Sequence, residues 1–199
     1  MSEQIDAPKE KIYYDQRSVA LRTPQSICFV KEHDKTAMLG LLLKEYQKKQ
    51  VVIVVKSKKK ADALSEFLIS KEFNALAVHG NHRETQQQEA GAKFNEGNLN
   101  IIISTDMILK TLGLENIKLV LNHDLPEDAQ EYYNRLALMK EQGVAISLVS
   151  PEEEGLLSDI EFNMKVEIEE KVLENFLPTD APAKSTKRKK KPRHRKNKD

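Results

Sequence analysis

Five of the six apolar segments in this chain are followed by side chains that suit a phosphate group. These side chains form what we call the edge row: Lys56, Ser57, Lys58, Lys59, Lys60, His79, Gly80, Asn81, Ser104, Thr105, Asp106, Asn122, His123, Asp124 and Ser150. Hydroxyl groups, lysines and the N–H groups of helix N-termini bind phosphate oxygens. Taken singly, Ser57 and the run 104–106 are better explained as helix caps, and the lysines as a solvated face. Together they predict a phosphate-bearing ligand.

The segments that must position the edge row alternate between strand and helix patterns. Strands are predicted at 25–30, 51–55, 75–78, 99–103, 118–121 and 144–149, and helices at 33–48, 57–70, 84–94, 128–139 and 151–163. Five consecutive β-branched residues at 51–55 are typical of a strand that is covered on both faces. Asp34 is a candidate N-cap. The alternation predicts an α/β fold with a mainly parallel sheet, whose carboxyl edge gathers the edge row into one ligand site.

Length and composition narrow the class of protein. The 199 residues and 22.7 kDa suit one domain at 25–178, a flexible N-terminal segment at 1–24 and a disordered Lys/Arg-rich tail at 179–199. A single cysteine, Cys28, excludes an intramolecular disulfide framework, and the histidines lack metal-ligand spacing. No apolar run approaches the roughly 18 residues of a membrane span. We therefore expect a cytoplasmic protein that has no metal site and no membrane contact.

The net charge of +1 conceals three pieces of different charge. Residues 184–199 hold ten Lys/Arg and one acid, residues 151–180 hold ten acids and two lysines, and residues 1–150 are balanced. A basic block of this density is typical of a nucleic-acid arm, and the alternatives are a solubilising tail or a localisation signal. The tail residues predicted to bind nucleic acid are Lys187, Arg188, Lys189, Lys190, Lys191, Arg193 and Arg195.

The order of motifs from about residue 27 to 178 resembles the C-terminal RecA-like lobe of DEAD-box RNA helicases. His79-Gly80, the run 94–97 and the run 101–106 follow the family pattern HG…F..G…vlvaTD without a gap, and 119–128 resembles lVInyDlPed. The resemblance implies a single three-layer RecA-like domain that contacts the RNA backbone. The nucleic-acid-binding residues predicted within the domain are Ser57, Lys58, His79, Gly80, Asn81, Thr105, Asp106, Lys110 and Arg135.

The departures from the family pattern fall mainly on the residues for ATP chemistry. The acid that contacts the nucleotide ribose in the family falls on Gly113, and the second arginine of motif VI falls on Leu138. Loss of such an arginine lowers the rate of phosphoryl transfer by about 10³–10⁵. The chain also holds no G-x-x-x-x-G-K-[ST] loop and no D-E-A-D run. The sequence therefore leans against an enzyme, and ATP is not expected as a cofactor.

Three functions from different classes follow from these patterns. The first is a helicase-like accessory protein that binds the RNA backbone without sequence preference, in a salt-sensitive way and without its own ATP hydrolysis. The second is a protein-interaction module that docks a helicase lobe or a ribonucleoprotein. The third is the second lobe of a split ATP-dependent RNA helicase, which Gly113 and Leu138 argue against.

Overall fold

A seven-stranded, wholly parallel sheet organises this chain, whose computed structural model describes residues 16–139 and 143–180. The strands are β1 (Gln25–Phe29), β2 (Val51–Val54), β3 (Ala75–Val78), β4 (Ile101–Ser104), β5 (Leu119–Asn122), β6 (Val144–Val149) and β7 (Glu169–Glu170). Their spatial order is β3-β4-β2-β5-β6-β1-β7. The α-helices are α1 (Gln16–Arg22), α2 (Lys35–Leu42), α3 (Lys58–Ser70), α4 (Glu84–Asn95), α5 (Asp106–Leu109), α6 (Ala129–Ala137) and α7 (Glu154–Met164). The α/β fold with a parallel sheet is confirmed.

Both faces of the sheet are buried, which explains the run of β-branched residues in β2. Val52 and Val54 point into one apolar cluster, which also holds residues of α4, α6 and α7. Val51 and Ile53 point into the other cluster, beneath α2 and α3. All four side chains are fully buried. Helices on each face of one sheet give the three layers that the sequence pattern predicted.

Three local features differ from the predictions. The helix predicted at 33–48 is a 3₁₀ turn at Glu32–Asp34, then α2, then a second 3₁₀ turn at Leu43–Tyr46. Asp34 does occupy the N-cap position of α2, but its side chain bonds no helix N–H, so the predicted side-chain cap is wrong. Its carboxylate instead accepts hydrogen bonds from the N–H and hydroxyl of Thr179, at 3.0 and 2.5 Å. The helix α1 and the strand β7 were not predicted at all.

Residues 1–15, 140–142 and 181–199 lie outside the described residues, so the basic tail and most of the flexible N-terminal segment stay predictions. Within 16–139 and 143–180, no helix has both the length and the apolar content needed to span a bilayer.

Candidate nucleic-acid interface

The strand order brings three parts of the edge row side by side. β3, β4 and β2 are neighbours, so the turns that follow them lie within roughly 10 Å, at about 4.8 Å per strand. The ammonium of Lys58 crosses from one turn to another and donates to Asn81 Oδ1 at 2.8 Å. A Cβ at Gly80 would lie 3.4 Å from Lys58 Nζ, so a glycine there leaves room for this lysine. Lys58, Gly80 and Asn81 are all exposed.

The N-terminus of α3 forms the most cationic part of this surface. Ser57 caps the helix, because its hydroxyl oxygen accepts a hydrogen bond from the backbone N–H of Lys60 at 3.2 Å. Lys56, Lys58 and Lys59 are exposed around the same turn, and no acidic residue lies in the first turn of the helix. Cations are unfavourable at the positive end of a helix, where an anion is favourable. This helix end is therefore suited to an incoming negative charge.

His79 shapes the adjacent turn from inside the protein. Its side chain is buried, and its Nε2 lies 2.8 Å from Asp62 Oδ1. The backbone N–H of Asn81 faces His79 Nδ1 at 3.4 Å, so both ring nitrogens of His79 lie against polar partners. The ring of His82 also lies against it, with centroids 4.3 Å apart. We therefore assign His79 to holding the turn that presents Gly80 and Asn81.

Thr105 and Asp106 lie between these turns but differ in whether their side chains are free to contact a phosphate. Thr105 is partly exposed, and its hydroxyl caps no helix N–H. The two carboxylate oxygens of Asp106 accept hydrogen bonds from Arg135 Nε and Nη2, at 2.6 and 2.8 Å. Thr105 is therefore available to a phosphate, whereas Asp106 is held in an internal ion pair.

Arg135 lies beneath the surface rather than on it. Only 2% of its surface is exposed. Its Nη1 donates to Asn122 Oδ1 at 3.0 Å and to the backbone carbonyl of Asp124 at 2.8 Å, in addition to the bonds with Asp106. The guanidinium thus connects α6 to the ends of β4 and β5. We assign Arg135 to positioning the loop that carries Thr105.

The other half of the edge row, after β5 and β6, is closed by buried charges. Lys35 is fully buried, and its ammonium bonds the Glu153 carboxylate and, at 2.9 Å, the backbone carbonyl of His123. Burial alone would raise the pKa of the Asp124 carboxyl. Hydrogen bonds from His123, from Lys60 and from the Lys56 N–H hold that pKa well below its usual range. Such groups neutralise one another and leave little surface for a ligand.

Gly113, Leu138 and Lys110 are the residues that the sequence resemblance aligns with positions of the family's ATP chemistry. Gly113 sits in a left-handed conformation with φ +57°, and no atom lies within 4 Å of a Cβ built there. Leu138 packs partly buried against the core. Lys110, in place of the motif V arginine, is exposed and pairs with Glu131 at 3.1 Å. Neither position 113 nor position 138 carries a carboxylate or a guanidinium.

Sequence reasoning missed two features of this edge. Lys35 gave no signal of its burial, because its partners lie up to 118 residues away. Met107 is 79% exposed beside Thr105, so one apolar side chain lies within an otherwise polar surface. The tail residues predicted to bind nucleic acid lie outside the described part of the chain.

Comparison with known proteins places the chain beside RNA helicases. A family model described as the helicase conserved C-terminal domain matches residues 34–137. The ATP-dependent RNA helicase SUB2-2 of Vanderwaltozyma polyspora is 34% identical over 145 residues, which are 71% of this chain and 33% of that protein. The ATP-dependent RNA helicase eIF4A of Mycosarcoma maydis is 31% identical over 124 residues, 61% of this chain and 30% of that protein. The chain spans about a third of the length of these curated relatives.

Solved structures share the fold. A DEAD box protein from the hyperthermophile Methanococcus jannaschii has a TM-score of 0.69 and 26% identity, covering 77% of this chain and 43% of that one. E. coli SrmB bound to the regulator of ribonuclease activity A has a TM-score of 0.73 and 24% identity, and the match covers 81% of this chain and 97% of that one. S. cerevisiae Dbp5 bound to RNA and ADP BeF3 has a TM-score of 0.69 and 24% identity, and the match covers 75% of this chain and 41% of that one.

Proposed function

This chain belongs to the family of helicase C-terminal domains, as a RecA-like lobe of the DEAD-box type, and we propose that it binds the sugar–phosphate backbone of RNA without sequence preference and without hydrolysing ATP itself. In this role it is an accessory protein that holds RNA rather than a motor that unwinds it. The two curated relatives named above are ATP-dependent RNA helicases.

One observation carries the proposal: the N-terminus of α3 presents exposed lysines, with no acid in its first turn, next to the Gly80–Asn81 turn. A helix N-terminus and a lysine together bind a phosphate oxygen well. Thr105 adds a hydroxyl one strand away. Every exposed aromatic side chain in the described part of the chain lies away from these three turns, so the surface supports backbone contact rather than base readout.

The proposal that the chain does not hydrolyse ATP is supported by Gly113 and Leu138. A glycine has no carboxylate for a ribose, and a leucine cannot stabilise charge on a transferring phosphoryl group. Arg135 has the matching position in motif VI, but its guanidinium is buried against Asp106 and Asn122. Phosphate-release assays with RNA present are expected to show no ATPase activity above background.

The direct test is RNA affinity against salt, for the full chain and for a truncation ending at Ala183. For single-stranded RNA, log K falls with log salt by about 0.7 per phosphate contact. We expect the truncation to retain about two or three contacts, and Lys58→Ala to remove about one of them. Lys93→Ala is the matched control, since Lys93 is an exposed lysine of α4 paired with Glu89.

The outcomes separate the roles of the lobe and the tail. If only the full chain binds, the lobe is not an RNA surface and the tail carries the binding. If Lys93→Ala weakens binding as much as Lys58→Ala, the edge row has no special role. If neither protein binds RNA, the proposed function is wrong.

A docking role is the second candidate, and a groove at the opposite edge of the sheet favours it. This groove of about 680 Å³ lies between α2 and α3, with Leu41, Phe67 and Phe73 on its walls and Lys44 and Lys71 among its lining residues. Apolar walls with polar rims are typical of protein-docking sites. A purified two-lobe DEAD-box helicase is a suitable probe. Binding that Phe67→Ser abolishes, with RNA affinity unchanged, would support docking.

A further inference from the structure

The outer edge of β1 is only half covered by its neighbour β7. β7 has two residues, and the pairing ends where the backbone N–H of Lys171 donates to the Ile27 carbonyl at 2.7 Å. The chain then leaves the sheet, because Leu173 and Phe176 pack against the apolar cluster beneath α2 and α3. In the described residues, the second half of β1 therefore has a neighbouring strand only on the side of β6.

Phe29 is the residue that this gap leaves open. On the other side of β1, the N–H of Val30 bonds the Val149 carbonyl at 2.9 Å. Successive residues of a strand direct their N–H and C=O groups to opposite sides, so those of Phe29 point away from β6. Within 16–139 and 143–180 neither group of Phe29 forms a hydrogen bond. An extended peptide can add a strand to an unpaired edge of this kind.

Two grooves meet at the Phe29 side chain, which is 44% exposed and lines both. The larger groove, of about 490 Å³, lies between α7, β1 and β7, with Ile27 and Leu157 among its apolar lining residues. The smaller groove, of about 290 Å³, lies at the carboxyl ends of β1 and β6, with Val149 and Phe176 on its walls. A peptide that pairs with the edge of β1 therefore meets apolar surface on both sides of Phe29.

The rim of these grooves is acidic. The glutamates that line them are Glu154, Glu161, Glu167, Glu169 and Glu170. Lys31 is the one lysine among the lining residues. Within the part of the chain that the structure describes, none of the five glutamates forms an ion pair. Carboxylates this close repel one another, so this rim favours a cationic ligand and disfavours RNA.

We propose that this edge of β1 docks an extended segment of a partner protein that is rich in lysine or arginine. The segment adds a short strand beside Phe29, places an apolar side chain in the larger groove and sets its cations against the glutamates of the rim. This surface is separate from Ser57 and Lys58, which follow β2, three strands away from β1. The inference therefore goes beyond the proposed RNA binding and does not depend on it.

Peptide titration of the full chain tests the charge and the shape of the segment. The probe is a synthetic peptide of eight residues in which lysine alternates with valine. One control peptide has glutamate in place of lysine, and another has proline at its two central positions, where it cannot donate an N–H. We expect saturable binding of the lysine peptide, about fivefold weaker binding of the proline peptide and no binding of the glutamate peptide. Equal binding of the lysine and proline peptides would overturn the proposal.

Hydrogen exchange at the Phe29 amide gives a readout that leaves the protein unchanged. This amide should exchange quickly in the free protein, whereas the Val30 amide is bonded to Val149 and is the protected control. With the lysine peptide at ten times its Kd, exchange at Phe29 should slow about tenfold. If the peptide binds and the exchange rate at Phe29 does not change, the peptide lies elsewhere and the proposal is wrong.

Variants of the groove floor test the apolar contact. Phe29→Ala should weaken binding of the lysine peptide about five- to tenfold and leave RNA affinity unchanged. Phe162→Ala is the matched control, because Phe162 is an exposed aromatic residue of α7 that lines neither groove. Equal peptide binding by the wild type and both variants would show that the groove is not the site. A loss of RNA affinity with unchanged peptide binding would count against the proposal in the same way.

Variants of the rim test the charge. Glu167→Gln combined with Glu169→Gln should weaken peptide binding about two- to fivefold. Glu66→Gln combined with Glu72→Gln changes the net charge equally at exposed positions outside both grooves and should have less effect. Equal losses in the two pairs would mean attraction to the protein as a whole and would refute a specific site. A truncation ending at Ala183 that binds the peptide more than tenfold tighter would make the chain's own tail the occupant and overturn a partner's segment.

Discussion

Replacing Arg135 with lysine separates a structural role from a binding role, because the substitution keeps the charge and loses the planar fork. The guanidinium donates four hydrogen bonds, two to Asp106, one to Asn122 and one to the Asp124 carbonyl. A lysine ammonium cannot reach acceptors on both sides of that site. Two buried acceptors left without partners cost about 1–3 kcal/mol each, so we expect Arg135→Lys to lower the free energy of unfolding by about 2–6 kcal/mol.

Urea unfolding measures that loss, and RNA titration of the same variant measures binding. At about 2–4 °C per kcal/mol for a chain of this length, the thermal midpoint falls by about 4–24 °C. RNA affinity of the folded protein at low temperature should fall by no more than the one contact that Thr105 supplies, because Lys58 and Asn81 do not depend on Arg135. Lys58→Arg is the matched exchange on the surface and should change stability by less than about 0.5 kcal/mol. A variant Arg135→Lys that unfolds at the wild-type urea midpoint but loses RNA affinity would refute the reasoning.

Three further predictions concern other buried groups. The pKa of the Asp124 carboxyl is lowered in the folded state. The ionised carboxylate therefore contributes stability above the ordinary pKa of 3.8, and this stability is lost progressively as the pH falls from 3.8 toward the folded-state pKa. In urea unfolding, the difference in stability between the wild type and Asp124→Asn should be smaller at pH 3 than at pH 7. A Cβ at Gly91 would lie 2.6 Å from the Leu112 carbonyl oxygen, so Gly91→Ala should lower the free energy of unfolding by about 1–3 kcal/mol. Gly155→Ala on α7 is the control: a Cβ there meets no atom within 4 Å, so this variant should be slightly more stable than the wild type in urea unfolding. Burial raises the pKa of the Cys28 thiol to about 11, so iodoacetamide at pH 8 should modify it only in denaturant; modification of the native protein would contradict this.

The sequence was most informative where one residue pattern has one structural solution. The apolar run that contains β2 is buried on both faces, and all six predicted strands are present in the structure. The resemblance to a DEAD-box C-terminal lobe is confirmed by the family model and the relatives. The helix α1 gave no signal, because seven residues carry too little apolar periodicity. Its Val19 and Ala20 are buried only because α6 and α7 cover them.

The candidate site was harder to predict, because its side chains are paired over long sequence distances. Asp34 resembled a helix cap, yet its carboxylate is taken by Thr179, 145 residues later. Arg135 was grouped with phosphate-binding residues, but Asp106 satisfies it from 29 residues earlier. Ser57, by contrast, depends only on its own helix, and its alternative interpretation as a cap is confirmed. Local chemistry could be inferred from the sequence, whereas the choice of ionic partner depends on the finished fold.

The pairing of charges divides the carboxyl edge of this sheet into two unlike halves. After β5, β6 and β1, the charged groups Lys35, Asp124 and Glu153 are buried and bond one another. Such a cluster would be costly to open for a ligand, because removing one partner leaves another charge buried and unpaired. After β3 and β2, Lys58 and Asn81 are exposed, so their single hydrogen bond exchanges readily for contacts with a phosphate. An RNA strand that follows the edge therefore meets rigid, neutralised protein on one side and adaptable cations on the other.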